Sequence, residues 1–342
     1  MRDDYFALIE RLAPDLAQEI ELRALVLERI GALQPVGRRQ LASRLNMPER
    51  EVRTVATLLK EHGLVSLDAA GMSLTPMAAE VLPMARLFSR DLHGLTKLEM
   101  QISQLLNVER VHIVPGQADQ DEHVISEVGR SAAARLRSFL QSGSTLAVTG
   151  GSTIREVAFS IPHSAPMNVM VVPARGGIGR ALETQANTIA SEIAKRLGGH
   201  HRLMHLPDDL DEQALNEMRR LREIDETLTL LERADVVLHA VGRADEMARQ
   251  RQLPSAVEAE VLRKGAVAEA YGCYFDITGK LVYSASTVAH NLGALKPKCA
   301  LIAVAAGAKK ANAIIAVMRN RSHAMLVTDE SAAKAILQKL DC

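Results

Sequence analysis

The chain of 342 residues is 47% apolar and 24% charged, with 3% aromatic residues and no Trp, a globular balance that excludes a disordered polymer. Lys plus Arg and Asp plus Glu count 41 each, so any nucleic-acid affinity has to come from a local patch, and the length calls for two domains, one small and one large. Cys273, Cys299 and Cys342 are too scattered for a disulfide framework or structural zinc, no window is apolar enough to span a membrane, and a reducing cytoplasm is the expected location.

Apolar residues from Leu16 to Leu33 recur at helical spacing and predict a first helix over Asp15–Leu33, closed by Gly31 and Pro35. A second helix is expected over Arg38–Leu45. Asn46-Met47-Pro48 then makes a tight turn that puts Pro48 at the first position of a third helix, which Gly63 ends. Two short apolar runs, Leu64–Leu67 and Met72–Thr75, joined by Asp68-Ala69-Ala70-Gly71, read as a hairpin. From Pro76 a long helix is expected to about Asn107, its apolar stripe suited to packing against a neighbouring domain or subunit.

The pattern then changes to apolar strands alternating with amphipathic helices. Strands are expected at Val111–Val114, Leu146–Thr149, Val169–Val172, Leu203–Leu206, Val236–Ala240, Leu301–Ala305 and Met325–Thr328, with an added hairpin over Tyr271–Tyr283. The fold class is therefore α/β: an N-terminal winged helix-turn-helix in residues 1–92, with a linker helix, and a larger Rossmann-like, mostly parallel domain in 93–342.

On a helical wheel of the third helix, Val52, Val55, Ala56 and Leu59 share one side, while Arg50, Arg53, Thr54, Thr57 and Lys60 lie opposite. Residues 37–60 hold six basic residues against Glu49 and Glu51. A lone basic helix would read as a solvated face, but the helix-turn, the Pro48 start and the hairpin that follows turn the reading towards DNA. Arg50 and Arg53 can present a planar fork to guanine, and Thr54 and Thr57 can meet a base edge or a phosphate. Arg38, Arg39 and Arg44 are placed to anchor the phosphate backbone of a double-stranded operator.

In the larger domain, glycine turns follow several strands, where open α/β sheets bind ligands. Gly150-Gly151-Ser152-Thr153 opens a helix, so its amides and hydroxyls can hold a phosphate. Arg175-Gly176-Gly177 adds a guanidinium, Gly242-Arg243 ends another strand, and Gly307 leads to Lys310 at a helix start. No Gly-x-Gly-x-x-Gly stands after the first strand and no Walker sequence occurs, which disfavours nucleotide cofactors. His200, His201 and His205 lack carboxylates at ligand spacing, so no metal is expected there.

The runs Val148-Thr149-Gly150-Gly151-Ser152-Thr153, Val172-Pro173-Ala174-Arg175-Gly176-Gly177-Ile178-Gly179 and Gln185-Ala186-Asn187-Thr188-Ile189 closely resemble those of the SorC family of sugar-responsive bacterial regulators. Glu269-Ala270-Tyr271-Gly272 and Val327-Thr328-Asp329-Glu330 extend the resemblance over essentially the full length. It implies a sensor domain related to sugar-phosphate isomerases and deaminases, fructose 1,6-bisphosphate as effector, no cofactor, and a dimeric or tetrameric repressor of glycolytic genes. It also implies that Ser152 and Thr153 hold one phosphate, and that Arg175, Lys310, Gln185, Glu269 and an arginine of Arg249-Gln250-Arg251, with Arg251 favoured, meet the sugar. The competing reading is an isomerase or deaminase with Glu269 or Asp276 as base, which lacks a distinct acid/base pair near the turns.

Overall fold

The computed structural model describes residues 8, 9, 11–162, 166–175, 182–206, 210, 212–284 and 298–340. The chain divides into two compact units, Met1–Lys97 and Leu98–Cys342.

In the first unit α1 (Pro14–Leu33), α2 (Arg38–Leu45) and α3 (Glu49–Glu61) precede a hairpin of β1 (Val65–Leu67) and β2 (Met72–Leu74). Their shared core is Val26, Leu27, Ile30, Leu41, Val52, Val55, Leu59, Val65 and Met72. The turn from α2 to α3 is tight because Asn46 takes a left-handed φ of 50° and returns its amide to the carbonyls of Ala42 and Ser43. Pro48 lies one residue ahead of the helical position expected for it: its extended ψ of 134° makes it the cap, and its carbonyl accepts the amides of Glu51 and Val52. In the hairpin, the Asp68 carboxylate accepts the amides of Ala70 and Gly71. The single long helix expected from Pro76 is two, α4 (Pro76–Leu92) and α5 (Leu95–Leu106), separated where Gly94 adopts φ +62°. The units part within α5, beyond the boundary expected at Leu92.

The second unit is built on a seven-stranded parallel sheet in the order β3-β13-β12-β7-β4-β5-β6. Its strands are β3 (Val111–Val114), β4 (Thr145–Val148), β5 (Met170–Pro173), β6 (His200–His201), β7 (Val236–Ala240), β12 (Ala300–Val304) and β13 (Met325–Asp329). Helices α6 (Glu122–Leu136), α7 (Ser152–Ser160) and α8 (Ala186–Leu197) cover one face with Leu146, Val148, Leu238, Ile302 and Val304. On the other face α10 (Arg222–Glu232) meets β4 and β5, after the short helix α9 (Glu212–Met218).

The second unit departs from the sequence-based expectation in two places. The strand expected at Leu203–Leu206 is displaced to His200–His201, because the Asn187 side chain pairs with both the amide and the carbonyl of Met204 at 2.9 and 3.1 Å, replacing a strand neighbour. Beyond the parallel sheet there is also a four-stranded antiparallel one, β8 (Gly242–Arg243), β9 (Ala266–Ala270), β10 (Cys273–Asp276) and β11 (Leu281–Ser284), of which only the β10–β11 hairpin was expected. Helices α11 (Ala244–Gln250) and α12 (Ser255–Arg263) connect β8 to β9. Helix α13 (Ala311–Asn320) packs on β9 and β10, and α14 (Glu330–Leu340) follows β13.

Candidate functional site

Helix α3 turns Val52, Val55, Ala56 and Leu59 inward and leaves Arg50, Arg53, Thr54, Thr57 and Lys60 exposed, as the wheel requires. Arg38, Arg39 and Arg44 are exposed as well. Thr54 and Thr57 donate their hydroxyl protons to the carbonyls of Arg50 and Arg53, at 3.1 and 2.8 Å, so each offers only a methyl and acceptor lone pairs outward. Glu49 draws Arg39 to 3.5 Å and Arg53 to 3.7 Å. These are solvent-exposed pairs worth about 0–1 kcal/mol, which a phosphate can displace.

In the second unit the turns singled out from sequence follow β12, β7, β4 and β5, four strands that are consecutive neighbours in the sheet. From β4 the chain winds outward to β5 and β6, then returns to β7 on the other side of β4 and proceeds to β12. That reversal opens the crevice where open α/β sheets hold ligands.

The β4 turn supplies donors. Gly150 has no room for a side chain, since a Cβ would stand 2.6 Å from the Thr184 carbonyl oxygen. Gly151, at φ +112°, gives its amide to that same oxygen at 2.9 Å, so it does not contribute a ligand donor as expected. The contact sets Gln185, the half-buried residue before α8, beside the turn. Among the described residues the amides of Gly150, Ser152 and Thr153 and the hydroxyls of Ser152 and Thr153 have no hydrogen-bond partner, and α7 adds its positive end.

The turn after β5 and the C-terminal end of α11 supply cations around one buried carboxylate. Glu269 sits on β9, not on a surface helix, and Gly242 is its neighbour across β8. Its Oε1 accepts Arg251 at 2.8 Å, Arg175 at 3.5 Å and the Gly272 amide at 2.5 Å. Burial pushes the Glu269 carboxyl up from its ordinary value, while Arg175 and the Gly272 amide hold it down. Arg249 instead faces solvent, bound to Asp245 at 3.2 Å, which leaves Arg251 as the arginine of that segment at the site. Gly176 and Gly177 lie outside the described residues.

The β12 turn supplies Lys310. Gly307, at φ +102°, donates its amide to Asp329 Oδ1 at 2.7 Å, and Lys310 closes the turn at the start of α13. Burial pulls the Lys310 ammonium below its ordinary value, against the upward pulls of Glu246, Asp119 and Asp329. Among the described residues no carboxylate comes within ion-pair distance of it.

Sequence reasoning assigned no role to Asp329, whose fully buried carboxylate ties the loop after β3 to the loop after β12 by accepting Ala118, Gly307 and the Ser331 hydroxyl. Its position at the end of a strand was the available signal. Asp276, weighed as a catalytic base, accepts the Thr278 and Lys280 amides and the Thr278 hydroxyl; it shapes the β10–β11 turn. The His200–His201 pair is an exposed edge strand. Among the described residues no three His, Cys, Asp or Glu gather at one point, and no helix is long and apolar enough to cross a membrane.

A helix-turn-helix with a cationic outer face, followed on the same chain by a doubly wound sheet with an anion-competent crevice, defines a ligand-responsive DNA-binding regulator. Residues 20–86 match the family described as the CggR N-terminal DNA binding domain, and residues 90–338 match a sugar-binding domain family. The central glycolytic genes regulator of Priestia megaterium is 36% identical over 96% of each chain. That of Bacillus subtilis is 35% identical over 96% of this chain and 97% of its own. A crystal structure of a SorC family transcriptional regulator from Enterococcus faecalis superposes with a TM-score of 0.65 at 35% identity, over 70% of this chain and 99% of that one. The chain belongs to the SorC family of sugar-binding transcriptional regulators, in the branch of these glycolytic regulators.

Proposed function

We propose that this protein is a cytoplasmic repressor of glycolytic genes whose operator binding is controlled by a phosphorylated sugar, with fructose 1,6-bisphosphate the favoured effector. The observation that carries this reading is the set of unpartnered donors at the β4 turn together with Lys310 and Arg175 in turns after β12 and β5, and Arg251 at the end of α11 against Glu269. A compact bisphosphate needs amide or cationic groups at two ends and polar groups between them. The relatives' names support glycolytic genes as the target.

Turnover is not part of the proposal. An isomerase needs a carboxylate available to move a carbon-bound proton, whereas Glu269 and Asp329 are each engaged by two or more donors of the chain. No cofactor is required, and a dimer or tetramer would pair two heads on a two-fold operator.

The experiment is a gel shift on operator DNA with a parallel series of heat-stability measurements across glycolytic intermediates, repeated with Lys310→Ala. A bisphosphate-specific shift that is lost in the variant, and a change in operator affinity with the same sugar, are the expected results. Steady product formation from fructose 1,6-bisphosphate or glucosamine 6-phosphate would overturn the reading.

A further inference from the structure

Apart from the crevice, the second unit buries a cluster of three polar rings. His239 on β7, Tyr271 in the β9–β10 turn and His323 just before β13 are 0%, 8% and 1% exposed. His239 Nε2 lies 3.0 Å from His323 Nε2, and the Tyr271 hydroxyl lies 3.1 and 3.3 Å from those two nitrogens.

Proton counting makes this arrangement incomplete. His239 Nδ1 faces the Ala240 carbonyl at 3.2 Å and His323 Nδ1 faces the Arg321 carbonyl at 2.8 Å. A carbonyl only accepts, so each Nδ1 carries the hydrogen and each Nε2 of a neutral ring presents a lone pair. Two lone pairs then face one another with a single phenolic proton between them. Placing a second proton there would charge one of two rings that are shut away from water, which burial opposes.

We propose that His239 Nε2, His323 Nε2 and the Tyr271 oxygen form a binding site for a borderline divalent transition ion such as Zn²⁺ or Co²⁺. The triangle of donors has a circumradius of about 1.8 Å, so an ion at about 2.0–2.1 Å from each sits about 1 Å outside their plane. The imidazole centroids are 5.1 Å apart, close to the separation of about 5.2 Å required by two imidazoles on one tetrahedral ion. Both rings already have the hydrogen bond from Nδ1 to a carbonyl that fixes the tautomer and orientation of a metal-bound histidine. Tyr271 is held at φ +54° in a two-residue turn, a conformation that Asn or Gly would adopt more readily. Binding removes the phenolic proton, which leaves to solvent as the oxygen becomes a ligand. The ion would brace the turn that begins two residues after Glu269.

The test uses the full chain, stripped with a chelator and titrated with CoCl₂, with visible absorption, equilibrium dialysis and proton release as readouts. One Co²⁺ and one released proton per chain are expected. His323→Gln and His239→Gln should each weaken binding at least about tenfold. Tyr271→Phe, which keeps the ring, should retain weaker binding without the released proton, and serves as the decisive variant if a histidine variant fails to fold. Absence of stoichiometric binding would overturn the site. So would unchanged affinity in the histidine variants, an undiminished proton release in Tyr271→Phe, or loss of binding in His200→Gln/His201→Gln.

Discussion

Glu269→Gln isolates the electrostatics of the crevice, because it keeps the side chain's shape and removes one charge. In the wild type the Arg175 and Arg251 side chains are 7% and 12% exposed, and the same carboxylate oxygen compensates both. Removing one member of a buried ion pair costs about 3–5 kcal/mol, because the charge that remains loses a partner while staying out of water. The glutamine carbonyl can still accept one of the three hydrogen bonds, so about 3 kcal/mol is expected for the unliganded protein. For a domain of this size each kcal/mol moves the melting temperature by about 2–4 °C, giving a fall of about 6–12 °C. Calorimetry of the full chain in a buffer free of phosphate and sulfate reads this directly. Added sugar bisphosphate should restore more stability to the variant than it adds to the wild type, since the anion supplies the missing charge. A melting temperature within about 2 °C of wild type would refute the argument, for the two guanidiniums would then be compensated by something other than Glu269.

Gly307→Ala places a Cβ 2.8 Å from Asp119 Oδ1 at φ +102°; a loss of about 1–3 kcal/mol is expected from denaturant midpoints, with weaker effector binding. Arg53→Ala should weaken operator binding by about 1–3 kcal/mol and relax base preference, whereas Arg39→Ala should weaken all sequences alike and reduce the salt slope by about one. Unchanged selectivity in the former would remove Arg53 from the base-reading set. Lys310 titrates below its ordinary value, so the unfolded chain holds this proton to higher pH than the fold does. The unliganded protein therefore gains stability as pH rises through that window, while sugar-phosphate affinity falls across it; Lys310→Arg should hold affinity level, and calorimetric titrations at alkaline pH check both.

The elements that were legible in the sequence are those whose own residues decide them. The apolar stripe of α3 and the Asp68–Gly71 turn carry complete local signals, and both form as expected. The four glycine turns were also legible, because each ends a run of strand-forming residues. Their adjacency was not, since it comes from the order β12-β7-β4-β5, which depends on pairings between distant segments. The displaced edge strand depends on Asn187, a helix residue far from Met204 in sequence. Glu269 could be read only as an acid; its burial follows from β8 and β9 pairing as an antiparallel sheet, and β8 is too short to leave a pattern. Gly151 shows the limit most directly: its glycine was legible, but not the Thr184 carbonyl that takes its amide.

A carboxylate between two arginines looks unsuited to an anion site, yet it gives the proposed effector site its selectivity. Glu269 can only accept hydrogen bonds, so a ligand that approaches Arg175 and Arg251 must either bring donors of its own or face like-charge repulsion. Sugar hydroxyls supply several such donors, whereas inorganic phosphate in its dianionic form has a single one. Among the described residues no carboxylate is bonded to the donors at the start of α7, so they could take a phosphate without that condition. In the proposed site the α7 donors would take one phosphate as such, and the Glu269 cluster would require the hydroxyl-bearing carbon skeleton between the two phosphates. A sugar-responsive regulator needs that distinction, because free phosphate would otherwise compete at the Glu269 cluster whatever the sugar concentration.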